Sequence, residues 1–448
     1  MDTRNGYVDL KHRIEATGIG YGTLQGVSWL MGDKPLEISP TIQQQIRELE
    51  ELLSWMSQCI RRSYSGGQCL PLKTLLGDKV PSVIPYVYDG RLESLFRLDI
   101  AVDVNEQIYV TEREECGGAL GILYALVQGY DVPYDIHERV KDALPPQTEH
   151  FCIVLTKDWW EYEQDLRVFT HAMREVGVST SFYYAEELTL ESFHEHTTLF
   201  LFGYFDNFAR YEDEKWVLDP LPSNVYMLNP RAFYRESKVL LTLPFMPFAD
   251  KVFPDEKKLQ RLQKYIPWTI PISPRAPMAI NWAEIIENQR QYIIKDAAYD
   301  GQNISWGGRG VQMDKQSKMQ FEEEIKLAFA GDYPRVLQEK VHQRTYQVNY
   351  YTPEGQVECM PKARMRLSPF FIKKKGHFPF ALMPKREVCL NDTQRVSFFF
   401  YLKTPSFSWG VRWQGKAVTL KPPGRAALVV KEIRFYAVRK TYHTNIIT

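Results

Sequence analysis

The chain of 448 residues is 44% hydrophobic and 25% charged, enough for about two to three packed domains and too apolar for a disordered chain. Lys and Arg number 55, as do Asp and Glu, which excludes a uniformly basic nucleic-acid binder and a uniformly acidic chain. The balance hides a split: residues 361–448 hold 18 Lys and Arg against Glu387, Asp392 and Glu432, a surplus of 15, and residues 1–360 carry the matching deficit.

Residues 40–65 place Ile42, Ile46, Leu49, Leu52, Leu53 and Met56 at spacings of three and four, which predicts a helix with one apolar stripe. RLDIAVDVNEQIYVTE (97–112) reads as two strands joined by the turn Val104-Asn105-Glu106, and 117–129 as a helix or a tight glycine-containing connection behind them. A second unit opens near 148. FCIVLT (151–156), TSFYYA and TTLFLFGYF (197–205) are strands, TKDWWEYEQDLRVFTHAMREVG has a helical period ending in glycine, and a short helix is expected near 186–194. This alternation predicts a parallel, doubly wound, Rossmann-like sheet, closed by MLNP (227–230) and followed by a helix around 235–243. From about 265 the pattern is α+β: a proline-rich stretch, a short helix over 282–291, the strand YIIKDA (292–297), a glycine-rich segment, a helix over 316–330 and the strand PRVLQEKV (334–341). The remainder is strand-rich and aromatic. The expected divisions are 1–147, 148–264, 265–360 and 361–448.

The six cysteines form no C-x-x-C, which argues against structural zinc and a dense disulfide framework. The N-terminus has no apolar run after its charges, and no apolar stretch is long enough to span a bilayer. A cytoplasmic protein without membrane contact is expected. Nothing in the pattern bears on oligomeric state.

The most informative stretch is YIIKDAAYDGQNISWGGRGV (292–311). A lysine in a buried strand needs a partner, because burial disfavours its charge. Gly301, Gly307, Gly308 and Gly310 after Lys295 allow backbone N–H groups to converge on an anion, so a phosphate is the expected partner. The alternative is a glycine-rich hairpin whose lysine reaches solvent. Neither the Walker spacing nor G-x-G-x-x-G is present. Downstream, Gln338-Glu339-Lys340-Val341 ends a strand whose edge can read adenine and whose carboxylate can hold a ribose hydroxyl. Upstream, Lys238 offers a second cation, although an exposed helix lysine is the blander reading.

Lys238, P-x-T at Pro267–Thr269, I-I-K with a glycine loop ending GGRGV, and V-L-Q-E together resemble the ATP-grasp superfamily over roughly residues 225–345, and 148–230 resembles its pre-ATP-grasp domain. The resemblance implies ATP clamped between two α+β lobes. Lys238 and Lys295 then meet its phosphates, the glycine loop covers them, and Gln338–Val341 holds adenine and ribose. Magnesium in such a site needs oxygen ligands, which the tail after 361 cannot supply. Asp99, Glu112 and Glu114 can supply them, because residues i and i+2 of a strand share a face and the two strands pair through their turn. This order resembles circularly permuted ATP-grasp enzymes of the glutathionylspermidine synthetase type. Glu114 stands where that pattern has asparagine, which leaves Glu115 as an alternative ligand.

The resemblance implies an ATP- and magnesium-dependent ligase that joins a small-molecule or peptide carboxylate to an amine through an acyl phosphate. Arg97 is the candidate to hold the acyl oxygen, with Arg364 and Arg366 as further anion clamps. The alternative is an ATP-binding or degenerate module whose basic tail, with Lys373-Lys374-Lys375, binds an anionic carrier, a nucleic acid such as tRNA, or an acidic peptide. His194 with His196, Cys116, and the aromatic run 398–401 read as surface pair, packed thiol and sheet core respectively.

Overall fold

The computed structural model describes residues 3–65, 95–297, 311–312, 317–330 and 335–372, apart from short internal breaks, and the pairs 380–381 and 395–396. The glycine-rich segment 301–310, Lys373–Lys375, Cys116, His194 and the aromatic run 398–401 lie outside the described residues. No helix among the described residues is long and apolar enough to cross a membrane.

Three sheets carry the mixed α/β architecture. The first is the expected parallel sheet. Thr180–Tyr184, His150–Leu155, Thr197–Phe202 and Val225–Met227 lie side by side in that order, every pair parallel. Phe151 to Leu155 and Leu199 to Phe202 are buried throughout, as strands covered on both faces must be. The second sheet is antiparallel, in the order Thr269–Ile272, Arg335–Glu339, Tyr292–Asp296, Val311–Gln312. The third is built on Leu95–Val102, which pairs with Ile108–Glu114 on one edge and with Arg366–Leu367 and Phe370–Ile372 on the other.

Two apolar cores flank the third sheet, and they do not follow chain order. Helices Thr3–Glu15, Leu120–Tyr130 and Ile136–Ala143 pack with the parallel sheet. The long helix Pro40–Ser65 and helix Glu256–Tyr265 pack with the antiparallel sheet. Strand alternation directs the third sheet to both cores: Leu95, Phe370 and Ile372 face the first, whereas Phe96, Leu98, Ile100 and Phe371 face the second.

Two expected helices take a tighter form. The segment near 186–194 is a pair of 3-10 turns, Ala185–Glu187 and Leu190–Ser192, whose side chains cap their own backbone: the Glu187 carboxylate accepts from Tyr184 N at 2.7 Å and Ser192 Oγ from Thr189 N at 3.0 Å. The helix expected at 235–243 is the 3-10 segment Lys238–Phe245, with Pro244 inside it and Ser237 Oγ accepting from Val239 N at 3.2 Å. The strand expected to run to 205 ends at Phe202, and helix Phe205–Arg210 follows.

Helix Leu120–Tyr130 begins without a cap of its own. Ala119 at the N-cap is held at φ 84°, and the carboxylate of Asp165, on helix Glu163–Glu175, accepts from Ala119 N at 2.9 Å and Ile122 N at 2.7 Å. Burial pushes Asp165 up to about 6, opposed by bonds from the Ile122, Ala119 and Gly121 amides and by Arg97. A carboxyl raised from its unfolded value contributes stability that is complete below about pH 4 and lost as pH rises through 6. Wild type should therefore lose about 2 kcal/mol relative to Asp165→Asn between pH 4 and 7. Urea unfolding of both proteins across that range checks this, and parallel pH profiles would contradict it.

Candidate functional site

The carboxylate hairpin owes its geometry to one extra residue. Arg97 pairs with Glu114 and Asp99 with Glu112, but Ile100 pairs with Val110, so Thr111 is a bulge. Without it, Val110 would share a face with Glu112 and Glu114. With it, Ile108 and Val110 enter the second core while the two glutamates face Asp99 and Arg97. The bulged residue is tied down on both sides: Thr111 Oγ1 donates to Asp99 O at 3.0 Å, and Thr111 O accepts from Lys295 Nζ at 3.1 Å.

On that face, one oxygen from each of Asp99, Glu112 and Glu114 lies within 4.8 Å of the others, in the one such carboxylate group among the described residues. Each carboxylate also meets a cation. Lys238 Nζ is 2.6 Å from Glu112 Oε1, Arg366 Nη1 is 2.7 Å from Asp99 Oδ2, and Arg97 Nη2 contacts Glu114 Oε2. Glu115 points the other way, with Arg113 Nε at 2.8 Å, and Arg113 Nη1 donates to Ser57 on the long helix. The bulge at Thr111, not one at the strand end, sets the register, so Glu114 joins the cluster and Glu115 does not.

The electrostatics are crowded. Burial pushes Glu114 up to about 7, and Asp99 and Glu112 add to this despite Arg97 and Arg366. Burial also opposes the charge on Asp99, but Arg366, Arg97, the Ser368 hydroxyl and Lys295 outweigh it and hold this carboxyl below its usual value. Burial works against the charge of Arg97 too, yet Glu114 and Asp99 more than compensate and raise it. Arg97 is further fixed by Nη1 donating to Gly118 O at 2.7 Å. Among the described residues Asp99 Oδ2 is buried without a hydrogen bond, with Arg366 Nη1 as its ion-pair partner at 2.7 Å. Three clustered carboxylates with such an oxygen are of the kind that could hold a hard divalent cation.

Both sequence-singled lysines reach this place. Lys238 is buried, at 5% exposure, not the exposed helix lysine of the blander reading. Lys295 is 8% exposed, and its ammonium donates to Gln338 Oε1 at 2.8 Å as well as to Thr111 O, so it joins the antiparallel sheet to the hairpin. It therefore does not reach bulk solvent. Gln338 is buried, and its Nε2 donates to Thr269 Oγ1 at 3.1 Å. Gln338 thus supports Lys295 from the sheet face. Glu339 is exposed, and Lys340 and Val341 are half-buried at the strand end. Gly301, Gly307, Gly308 and Gly310 lie outside the described residues. Arg364 ends the strand Val357–Arg364, its backbone opposite Thr345.

Sequence reasoning missed Ser368, whose hydroxyl donates to Asp99 Oδ1 at 2.9 Å, and gave Arg366 no tie to Asp99. Neither carries a local signal, since each meets Asp99 across more than two hundred residues. Gly118 was visible only as a glycine pair. A Cβ there would lie 2.6 Å from the Tyr162 ring while its carbonyl holds Arg97. Gly118→Ala should therefore lower any activity depending on Arg97 by about tenfold, with a smaller loss of stability, because the aromatic ring can shift. Thermal melts alongside turnover check this, and unchanged turnover would contradict it.

No family model matches the chain, and no curated protein matches it. Among solved structures it is similar to a glutathione synthetase-like effector from Globodera pallida in its apo form, at 11% identity and a TM-score of 0.51, over 82% of this chain and 88% of that one. A provisional gamma-glutamylcysteine synthetase from Methylobacillus flagellatus KT matches at 10% identity and a TM-score of 0.36, over 83% and 91% of the two chains. The chain thus has a mixed α/β fold similar to that of a glutathione synthetase-like protein.

Proposed function

We propose that the chain is an ATP- and magnesium-dependent ligase of the ATP-grasp kind, joining a carboxylate to an amine, with its metal-binding hairpin ahead of its nucleotide-binding part. The observation that carries this reading is the convergence of Asp99, Glu112 and Glu114 with the buried Lys238 and Lys295. Carboxylates beside ammonium groups suit a metal–polyphosphate ligand, whose two charge signs need both. Asp99, Glu112 and Glu114 would hold magnesium, which when bound draws charge from phosphate oxygens. Lys238 and Lys295 meet the phosphates and neutralise charge that builds during transfer to the substrate carboxylate. The strand end at Gln338–Val341 offers its backbone to adenine. Arg97, locked by Gly118 O and Glu114, presents its guanidinium where an acyl oxygen gains charge as the amine attacks. ADP and phosphate leave with the amide product.

The full chain, given ATP and magnesium with a panel of carboxylates and amines, should release ADP only when both substrates are present. ADP release at the same rate with neither substrate would make it an ATPase instead. Nucleotide binding with no turnover on any pair would favour the ATP-binding module.

A further inference from the structure

The three cations on the carboxylate cluster are not equivalent. The side chains of Arg97 and Lys238 are only 12% and 5% exposed, and Arg97 has a second anchor in Gly118 O. Arg366 comes from the basic part of the chain, on the two-residue strand Arg366–Leu367 opposite Ala101 and Ile100. Its side chain is 51% exposed, whereas the Asp99 carboxylate it meets is 1% exposed. Among the described residues that contact is its one ion pair. The carboxylate itself is held at its other oxygen, Oδ1, by Ser368 Oγ, which donates at 2.9 Å, and by Arg97 Nε at 3.8 Å. With Oδ1 so engaged, Oδ2 is the oxygen of Asp99 left for a divalent ion seated among Asp99, Glu112 and Glu114, and Arg366 stands 2.7 Å from it. A long, half-exposed arginine can turn to water at little cost, while the buried cations cannot.

We propose that Arg366 is a positioning residue that acts through Asp99: it is the counter-cation that must leave Oδ2 before a metal takes that oxygen, and it thereby sets the affinity of the site for divalent ions. This rests on reading the three carboxylates as a metal site. The charge split between the two parts of the chain then has a local meaning, since one arginine of the basic part covers one carboxylate of the acidic part.

Manganese is a suitable probe, since it accepts the same oxygen ligands and its free ion is counted directly by paramagnetic resonance. Titrated into the full chain without nucleotide, it should bind about tenfold more tightly to Arg366→Met than to the parent. Arg366→Lys, with its charge kept on a shorter reach, should fall between the two. Asp99→Asn should weaken binding at least tenfold. Loss of a merely structural arginine would lower metal affinity, not raise it. If Arg366→Met and Arg366→Lys bind manganese no more tightly than the parent while Asp99→Asn weakens it, the counter-cation role is overturned and the metal site stands. If Asp99→Asn leaves manganese binding unchanged, the metal reading falls and this inference falls with it.

Discussion

Glu112→Gln should reduce magnesium-dependent ADP formation by about a thousandfold or more, and Lys295→Ala should reduce it by at least a hundredfold. The two act on different halves of the site. Glu112 contributes one of three clustered carboxylates and is the 2.6 Å partner of Lys238. Its amide keeps the shape but loses the charge, so both the metal and the orientation of Lys238 suffer. Leaving the buried ammonium without that carboxylate also costs stability, about 3–5 kcal/mol, less than most folded domains hold. Lys295→Ala removes the cation held between Thr111 O and Gln338 Oε1 and should weaken nucleotide binding, whereas Glu112→Gln should mainly lower kcat. Nucleotide titration, ADP release and a thermal melt on each variant separate these effects. If both variants match the parent in all but stability, the lysines and carboxylates hold the fold together and the chemistry lies elsewhere.

What could be read from the residues was local. Period-two logic places Arg97 with Asp99 and Glu112 with Glu114, and the parallel sheet follows from three apolar runs separated by helical periods. Lys295 stood out because a cation in an apolar strand is costly, and that cost is met by Thr111 O and Gln338. What escaped depends on distant partners. The bulge at Thr111 has no sequence mark, since threonine is an ordinary strand residue. Helix Thr3–Glu15 pairs apolar Tyr7, Leu10 and Ile14 with many polar neighbours, and its burial is decided by Leu120–Tyr130, more than a hundred residues away. The basic tail invited a reading as a polyanion surface; within it, Arg366–Leu367 and Phe370–Ile372 are strands that pair with Leu95–Val102, a contact nothing in the tail's own sequence announces.

Gly121→Ala should destabilise the protein by about 4 kcal/mol or more, the largest loss expected of any glycine-to-alanine change among the described residues. A Cβ at Gly121 would lie 1.9 Å from Asp165 O, 2.9 Å from Asp165 C and 3.1 Å from Phe169 N, all backbone atoms of helix Glu163–Glu175. No rotamer relieves a clash with backbone, so the two helices must separate. Separation pulls the Asp165 carboxylate from the Ala119 and Ile122 amides and lifts Leu120 and Ala125 away from the core they share with Leu166 and Phe169. Two other glycines calibrate the effect. At Gly129 the nearest atoms belong to the fully buried, β-branched Ile14 side chain, with Cγ1 at 2.5 Å, so a side chain but no backbone must shift, and at Gly177 nothing lies within 4 Å, so only the strain of φ +79° remains. Alanine should cost about 1–3 kcal/mol at Gly129 and about 1 kcal/mol at Gly177. The damage from Gly121→Ala should also reach the site, because helix Leu120–Tyr130 starts two residues after Gly118, whose carbonyl fixes Arg97. Urea unfolding of the three variants gives the ranking, and a Gly121→Ala curve within about 1 kcal/mol of the parent would mean that the helices do not cross on this glycine.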